Sequence, residues 1–251
     1  MDLPTIALLF VAGFVSGAVN AVAGGGTFIT FGAMTLAGMS PIMANATSSI
    51  AQFPGYITST LAYLADIRTF WRQALLLAFI SAIGALAGAL ILLSLDNPSF
   101  RALVPWLLLV ATAVFAAGPW LKPKPRPAAA AGESRNLVGL VVQFVVAIYG
   151  GFFGAGMGIM MLASLGITER GDYHRLNATK NFLSIIIAAV AIIVFTSGGL
   201  VGWPQALVMI PAVALGGYLG VQGAKRIPQI YLRGFVVVVG VLLAIYYFVT
   251  G

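Results

Sequence analysis

The sequence predicts an all-α integral membrane protein of two inverted-topology repeats, each with about five helical segments and each opened by a glycine-broken hairpin inside the membrane. Composition, an internal repeat and the placement of loop charges carry that prediction. Of 251 residues, 61% are hydrophobic and 8% charged, where a soluble domain carries roughly 25% charged residues. The stretches Ala74 to Leu93, Leu103 to Trp120 and Phe182 to Thr196 contain no charge, and their lengths approach the roughly 20 residues a helix needs to cross a bilayer core. Alternating strand patterns are absent, which argues against a barrel.

The repeat emerges when the chain is offset by 132 residues. Ala23, Gly24 and Gly26 then match Ala155, Gly156 and Gly158, and Asn45-Ala46-Thr47 matches Asn177-Ala178-Thr179. Trp71, Gln73, Ala74 and Leu75 match Trp203, Gln205, Ala206 and Leu207, Gly84 and Gly88 match Gly216 and Gly220, and Arg101 matches Arg233. No gap is needed. Duplicated halves in a membrane chain point to a transporter whose site lies between the repeats.

In the first half the segments are expected over roughly 5–22, 27–38, 42–64, 71–93 and 99–120, and in the second over roughly 137–154, 159–168, 176–197, 203–224 and 231–249. The opening segment lacks a basic leader and reads as a membrane helix rather than a cleavable signal. The second segment of each half is short: twelve helical residues rise about 18 Å, less than the roughly 30 Å hydrocarbon core. Glycine runs precede both, which places a turn within the membrane. Residues 1–121 and 136–251 form the two repeats, and 122–135 a basic linker of alternating prolines followed by alanines, expected to be extended and cytoplasmic.

Loop charges orient the halves. The stretch 66–72 carries Arg68 and Arg72, while its counterpart 198–204 is uncharged. The stretch 38–44 is uncharged, while 170–176 is rich in charge. Asp96 to Arg101 is balanced, while its counterpart region holds Lys225, Arg226 and Arg233. Basic loops thus swap sides between matched positions, as an odd number of segments per half also requires, and both termini fall outside the cytoplasm.

The net charge of +7 is that of basic loops between spans, so no nucleic-acid partner is expected, only membrane lipid. With no cysteine and a single His174, neither a metal site nor a cofactor is expected. No carboxylate falls mid-segment, which argues against a carboxylate proton relay or a divalent-cation site.

Polar residues inside the apolar segments define the candidate site. Gly24, Gly25, Gly26 and Thr27 open one short helix, and Gly156, Met157 and Gly158 open the other; helix starts with exposed amides suit an anion. Asn45, Thr47, Ser48 and Ser49, with Gln52 one turn on, supply hydroxyl and amide donors in the first half. Asn177, Thr179, Lys180 and Asn181 do so in the second. Either cluster can cap a helix, but capping accounts for one residue of each. Lys180, matched to Ser48, is an ionisable group at membrane depth and so a functional candidate; the alternative is a lysine snorkelling to the interface. The Trp71/Trp203 pair reads as interfacial anchors, the glycine pairs as helix contacts, and Arg101 and Arg233 as anchors of helix ends.

These motifs, in this order, resemble the sulfite exporter TauE/SafE family: Gly-Ala-Val-Asn-Ala-Val-Ala-Gly-Gly-Gly at 17–26, Ala-Asn-Ala-Thr-Ser at 44–48, Gly-Ala-Gly-Met-Gly at 154–158, Arg-Leu-Asn-Ala-Thr-Lys-Asn at 175–181, Gly-Trp-Pro-Gln-Ala-Leu at 202–207 and Gly-Gly-Tyr-Leu-Gly at 216–220. The resemblance implies transport of a small anion such as sulfite, thiosulfate or a sulfonate like sulfoacetate, in a bacterial inner membrane. Met157 departs from the full glycine triplet of Gly24 to Gly26. An anion channel, a small-carboxylate carrier and an intramembrane hydrolase using Lys180 and Ser184 are the alternatives, and a homodimer is held open.

Overall fold

The structure, a computed structural model, describes residues 1–117, 137–169, 173–223 and 229–250. The linker at 122–135 and the basic loop residues Lys225 and Arg226 lie outside the described residues. Within them the chain forms helices and no strand.

The first half opens with α1 (Leu3–Ala23), whose Asp2 cap accepts a hydrogen bond from the Thr5 amide at 3.2 Å. It ends at Gly24, whose backbone lies in the left-handed region (φ 78°) that favours glycine. Two residues later α2 (Thr27–Leu36) begins, only ten residues long. Helix α3 (Pro41–Ala62) starts on a proline at its first position, α4 (Leu64–Thr69) is a single short turn, and α5 (Trp71–Leu93) and α6 (Asn97–Ala117) are long and apolar. The second half has α7 (Leu137–Phe152), the short α8 (Met157–Thr168), α9 (Tyr173–Ser197), α10 (Trp203–Gly223) and α11 (Gln229–Thr250). Gly156 repeats the left-handed turn of Gly24, with φ 83°.

Helix α4 is an element the sequence pattern assigned to a loop. Tyr63 breaks α3 (φ −108°, ψ 12°), and the chain re-forms one turn whose last residues include Arg68 before Phe70 breaks it again. The first half therefore holds six helices against the expected five. Helix α8 starts at Met157, two residues earlier than expected. Here the glycine run is itself part of the helix start.

Four of the described helices are long and apolar enough to cross a membrane: Leu3–Ala21, Trp71–Leu93, Asn97–Ala117 and Arg175–Ser197. Leu75, Phe79, Ile83, Leu86 and Leu90 stand exposed along α5, an apolar outer face of the kind lipid covers. The same helix buries its small face, Ala74, Ala78, Ser81, Gly84, Ala85 and Gly88.

Packing interlocks the halves. Helix α1 lies against α10 and α5 against α7, which the offset maps onto the same contact, and α3–α10 has its counterpart in α9–α5. The pairs α3–α9 and α6–α11 join matched helices directly. Glycines set the distance. A Cβ on Gly84 would sit 2.7 Å from the Phe144 carbonyl oxygen of α7, and one on Gly216 would collide with the backbone of Phe14 on α1. Arg101 donates to the Thr250 carbonyl at 2.6 Å and so ties α6 to the end of α11.

Candidate functional site

The two glycine turns touch. A Cβ on Gly24 would lie 3.2 Å from the Gly158 carbonyl carbon, and one on Gly158 would lie 2.9 Å from the Gly24 oxygen. Side chains of α2 and α3 bind the second turn across this contact. The Gly156 amide donates to Thr27 Oγ1 at 2.9 Å, and the Gly154 amide donates to Asn45 Oδ1 at 3.1 Å. Asn45 Nδ2 in turn donates to the Phe152 carbonyl at 2.9 Å, so one buried side chain satisfies both ends of the break after α7. Unpaired backbone at membrane depth carries a high cost, and this cross-bracing removes it.

Around the first turn the polar groups bond one another, with Asn20 Oδ1 alone among them left unpartnered. Ser16 Oγ donates to the Gly26 carbonyl at 2.6 Å. Gln52 reaches from α3 with its amide nitrogen donating to Ser16 Oγ and, at 3.5 Å, to Thr30 Oγ1, while its Oε1 accepts from Asn20 Nδ2 at 3.4 Å. Ser16, Asn20, Thr30 and Gln52 are all buried.

The matched place in the second half is built differently. Shifted by the repeat, Ser16, Asn20, Thr30 and Tyr56 become Ile148, Phe152, Leu162 and Ala188, none with a polar side chain. Gln52 becomes Ser184 and Ser48 becomes Lys180. Lys180 and Ser184 are fully buried, Asn177 and Asn181 nearly so. Lys180 Nζ, Asn181 Nδ2, Ser184 Oγ and Asn177 Oδ1 have no hydrogen-bond partner. Asn177 makes one long bond, Nδ2 to the Tyr63 hydroxyl at 3.4 Å. Four residues on one helix within eight positions thus leave polar atoms unpaired, whereas buried polar groups are otherwise almost always bonded.

The direction of this row follows from helix geometry. Lys180, Ser184 and Ile187 share one face of α9. Ile187 meets the glycine break: a Cβ on Gly150 would lie 2.6 Å from Met157 Sδ and 3.1 Å from Ile187 Cγ2. The row therefore runs along the side of α9 that packs on α7 and α8. Lys180 Nζ and Ser184 Oγ are not bonded to each other, so the hydrogen bond of a nucleophile–base pair is not formed.

The remaining candidates have separate places. Gly25 packs against Val236 and Ile159. Thr47 Oγ1 accepts from the Gly202 amide at 2.9 Å and braces the turn before α10. Ser48 Oγ points to Met34 Sδ at 3.5 Å, and Ser49 Oγ donates to the Asn45 carbonyl of its own helix. Thr179 Oγ1 donates to the Arg175 carbonyl at 2.9 Å and lines a cleft with Phe70, Gln73, Glu169 and Arg175. There Gln73 on α5 accepts from Arg175 Nη2 at 3.0 Å and donates to Glu169, and the guanidinium lies 4.6 Å from the centre of the Phe70 ring. Burial lifts the Glu169 carboxyl above the ordinary carboxylate range, with Arg175 pulling it back.

The residues that sequence reasoning missed are Ser16, Asn20 and Thr30, along with Ser184 as part of the polar row. The offset search rewards identity, and these positions differ between the halves. Polar residues at i and i+4 inside an apolar segment, Ser16 with Asn20, were the available signal.

Comparison with known proteins bears on the same span. The family model described as Sulfite exporter TauE/SafE matches residues 9–247. A probable membrane transporter protein of Haemophilus influenzae is 28% identical over 245 residues, covering 95% of this chain and 92% of that protein. The probable membrane transporter protein ORF9 of a Sinorhizobium species is 30% identical, covering 96% and 91%. The probable membrane transporter protein YfcA of Escherichia coli is 26% identical, covering 95% and 88%.

Proposed function

The chain belongs to the sulfite exporter TauE/SafE family of multi-pass membrane transporters, and from that premise we propose that it is a secondary carrier of a small oxyanion, bound at Lys180 on α9 between two inverted repeats. Sulfite, a sulfonate or another organosulfur oxyanion is the proposed substrate class, and the bacterial inner membrane the proposed setting. The observation that carries the reading is a fully buried lysine whose ammonium has no partner. A charge in a low-dielectric interior is strongly destabilised without a counter-charge. An anion arriving beside Lys180 supplies it, while the unpartnered Asn181 Nδ2 offers a donor to its oxygens.

Two features support inversion of the repeats. Matched loops carry basic residues on opposite sides, and the contacts α1–α10 and α5–α7 are reciprocal under the repeat. In that topology the cleft of Gln73, Glu169 and Arg175 faces the cytoplasm, and the brace from Thr47 to Gly202 faces the other side. Each joins one half to the other. Alternating access requires that one of them open while the other holds.

Counterflow in liposomes tests the proposal. Sulfite, thiosulfate, sulfoacetate and small carboxylates are offered side by side against a preloaded labelled anion. Saturable exchange of an organosulfur oxyanion, abolished by Lys180→Gln, is the expected result. Exchange that survives Lys180→Gln removes the lysine from the mechanism, and single-channel currents in a planar bilayer would make the protein a channel.

A further inference from the structure

We infer that Ser184 is an anion ligand alongside Lys180 and Asn181, and that the protein holds one monovalent oxyanion per chain because Gln52 fills the repeat-related place in the first half. The inference rests on the carrier reading and adds the number of ions, their charge and the Ser184 ligand to it.

The unpaired atoms specify the ligand's chemistry. Three of the four are donors: Lys180 Nζ, Asn181 Nδ2 and Ser184 Oγ. Asn181 and Ser184 are three apart and Lys180 and Ser184 four apart, the spacings that place side chains side by side on a helix. A buried excess of donors calls for a ligand that accepts through several atoms at once, which describes an oxyanion with its oxygens spread around one centre. Ser184 is fully buried and one turn from the lysine, out of reach of bulk solvent.

Charge sets the valence. Lys180 brings at most one positive charge. Apart from it, no other buried polar residue among the described ones is ionisable as a cation. A monoanion is balanced by that charge. A dianion would leave one negative charge unbalanced in a medium of low dielectric, where an uncompensated charge is costly.

The repeat sets the number. An inverted pair of halves brings two equivalent places, one along α3 and one along α9. Along α3, Gln52 spans to Ser16, Thr30 and Asn20 and takes up the Ser16 and Thr30 hydroxyls and the Asn20 amide nitrogen, leaving only an acceptor, Asn20 Oδ1, without a partner. Ser48, in the place of Lys180, carries no charge. Along α9 the matched residue is the shorter Ser184, and the positions matched to Ser16, Asn20 and Thr30 are Ile148, Phe152 and Leu162, whose side chains form no hydrogen bond.

Titration calorimetry on the purified full-length protein tests this with methanesulfonate, a monoanion, and sulfate, a dianion with the same tetrahedral sulfur centre and a fourth oxygen in place of the methyl group. One methanesulfonate per chain is expected, with sulfate at least about 10-fold weaker, and Ser184→Ala should weaken methanesulfonate about 10-fold or more, the effect of one hydrogen bond to a charged group. Ser184→Thr, which keeps the hydroxyl, should bind within about 3-fold of the native protein. If Ser184→Ala binds as the native protein does while Lys180→Gln does not, the carrier reading stands and this inference falls. Two anions per chain, or sulfate bound as tightly as methanesulfonate, would also overturn it. Failure of the native protein to bind either anion would contradict the inference and the carrier reading together.

Discussion

Helices α3 and α9 occupy matched positions in a duplicated chain and solve opposite problems. Along α3 the polar residues from Asn45 to Gln52 are engaged, Gln52 with Ser16, Asn20 and Thr30, Asn45 with the second glycine break, and Thr47 with the turn before α10, and only Thr60 Oγ1 near the helix end is unpartnered. Along α9 the matched residues leave an ammonium, an amide and a hydroxyl buried and unpaired. The difference does not arise on these two helices alone. The positions that the repeat matches differ as well: Ser16, Asn20 and Thr30 on α1 and α2 are polar, whereas Ile148, Phe152 and Leu162 on α7 and α8 are not. A duplicated fold can thus leave matched helices with different degrees of hydrogen-bond saturation.

The comparison can be broken in order of effect. Lys180→Gln should cut anion exchange by at least about 100-fold, the consequence of losing a charge-assisted contact of roughly 3 kcal/mol in a dry site. The same substitution should leave thermal stability unchanged or raised, since it removes an uncompensated buried charge. A large fall in both exchange and stability would make Lys180 structural instead.

Asn45→Ala should then destabilise by about 2 kcal/mol or more, because it orphans the Phe152 carbonyl and the Gly154 amide in a buried place. Asn177→Ala, at the matched position, should destabilise by less than about 1 kcal/mol, having only the long bond to Tyr63 to lose. Thermal melts of the two variants side by side check the contrast. Equal losses would mean that α9 is as fully bonded as α3.

Gln52→Ala sharpens the reading of the saturated half. It should cost about 1–3 kcal/mol by leaving Ser16, Thr30 and Asn20 short of partners, again read as a shift in melting. The smallest effect is expected at the cleft. The Glu169 carboxyl sits above its ordinary value of 4.5 because of burial. The folded protein therefore holds this proton more tightly than the unfolded chain does. Stability should fall as pH rises from 4.5 through the raised range and then level off. Glu169→Gln should flatten that slope in melts followed against pH.

Much of this was legible before any coordinates. The reciprocal packing of the halves and the close glycine contacts at Gly84, Gly88 and Gly216 follow from the matched small residues. The exchange of Ser48 for Lys180 was visible as a mismatch. Which polar residues were already partnered was not legible. Asn45 and Asn177 are the same residue in the same motif, yet one is bonded twice to backbone and the other leaves its carbonyl oxygen unpaired. That depends on where α7 breaks relative to α3, a distance no repeat alignment carries. Helix α4 was also hidden, since its six residues mix Asp66 and Arg68 with apolar neighbours and show no lasting period.

The most direct test uses the absence of cysteine from the sequence. A single Ser184→Cys protein and a single Ser48→Cys protein, reconstituted in liposomes, are labelled with a maleimide with and without methanesulfonate. The account predicts that the anion slows labelling on α9 at position 184 and leaves labelling on α3 at position 48 unchanged. Labelling at 184 that is absent, or that the anion slows no more than at 48, would contradict it.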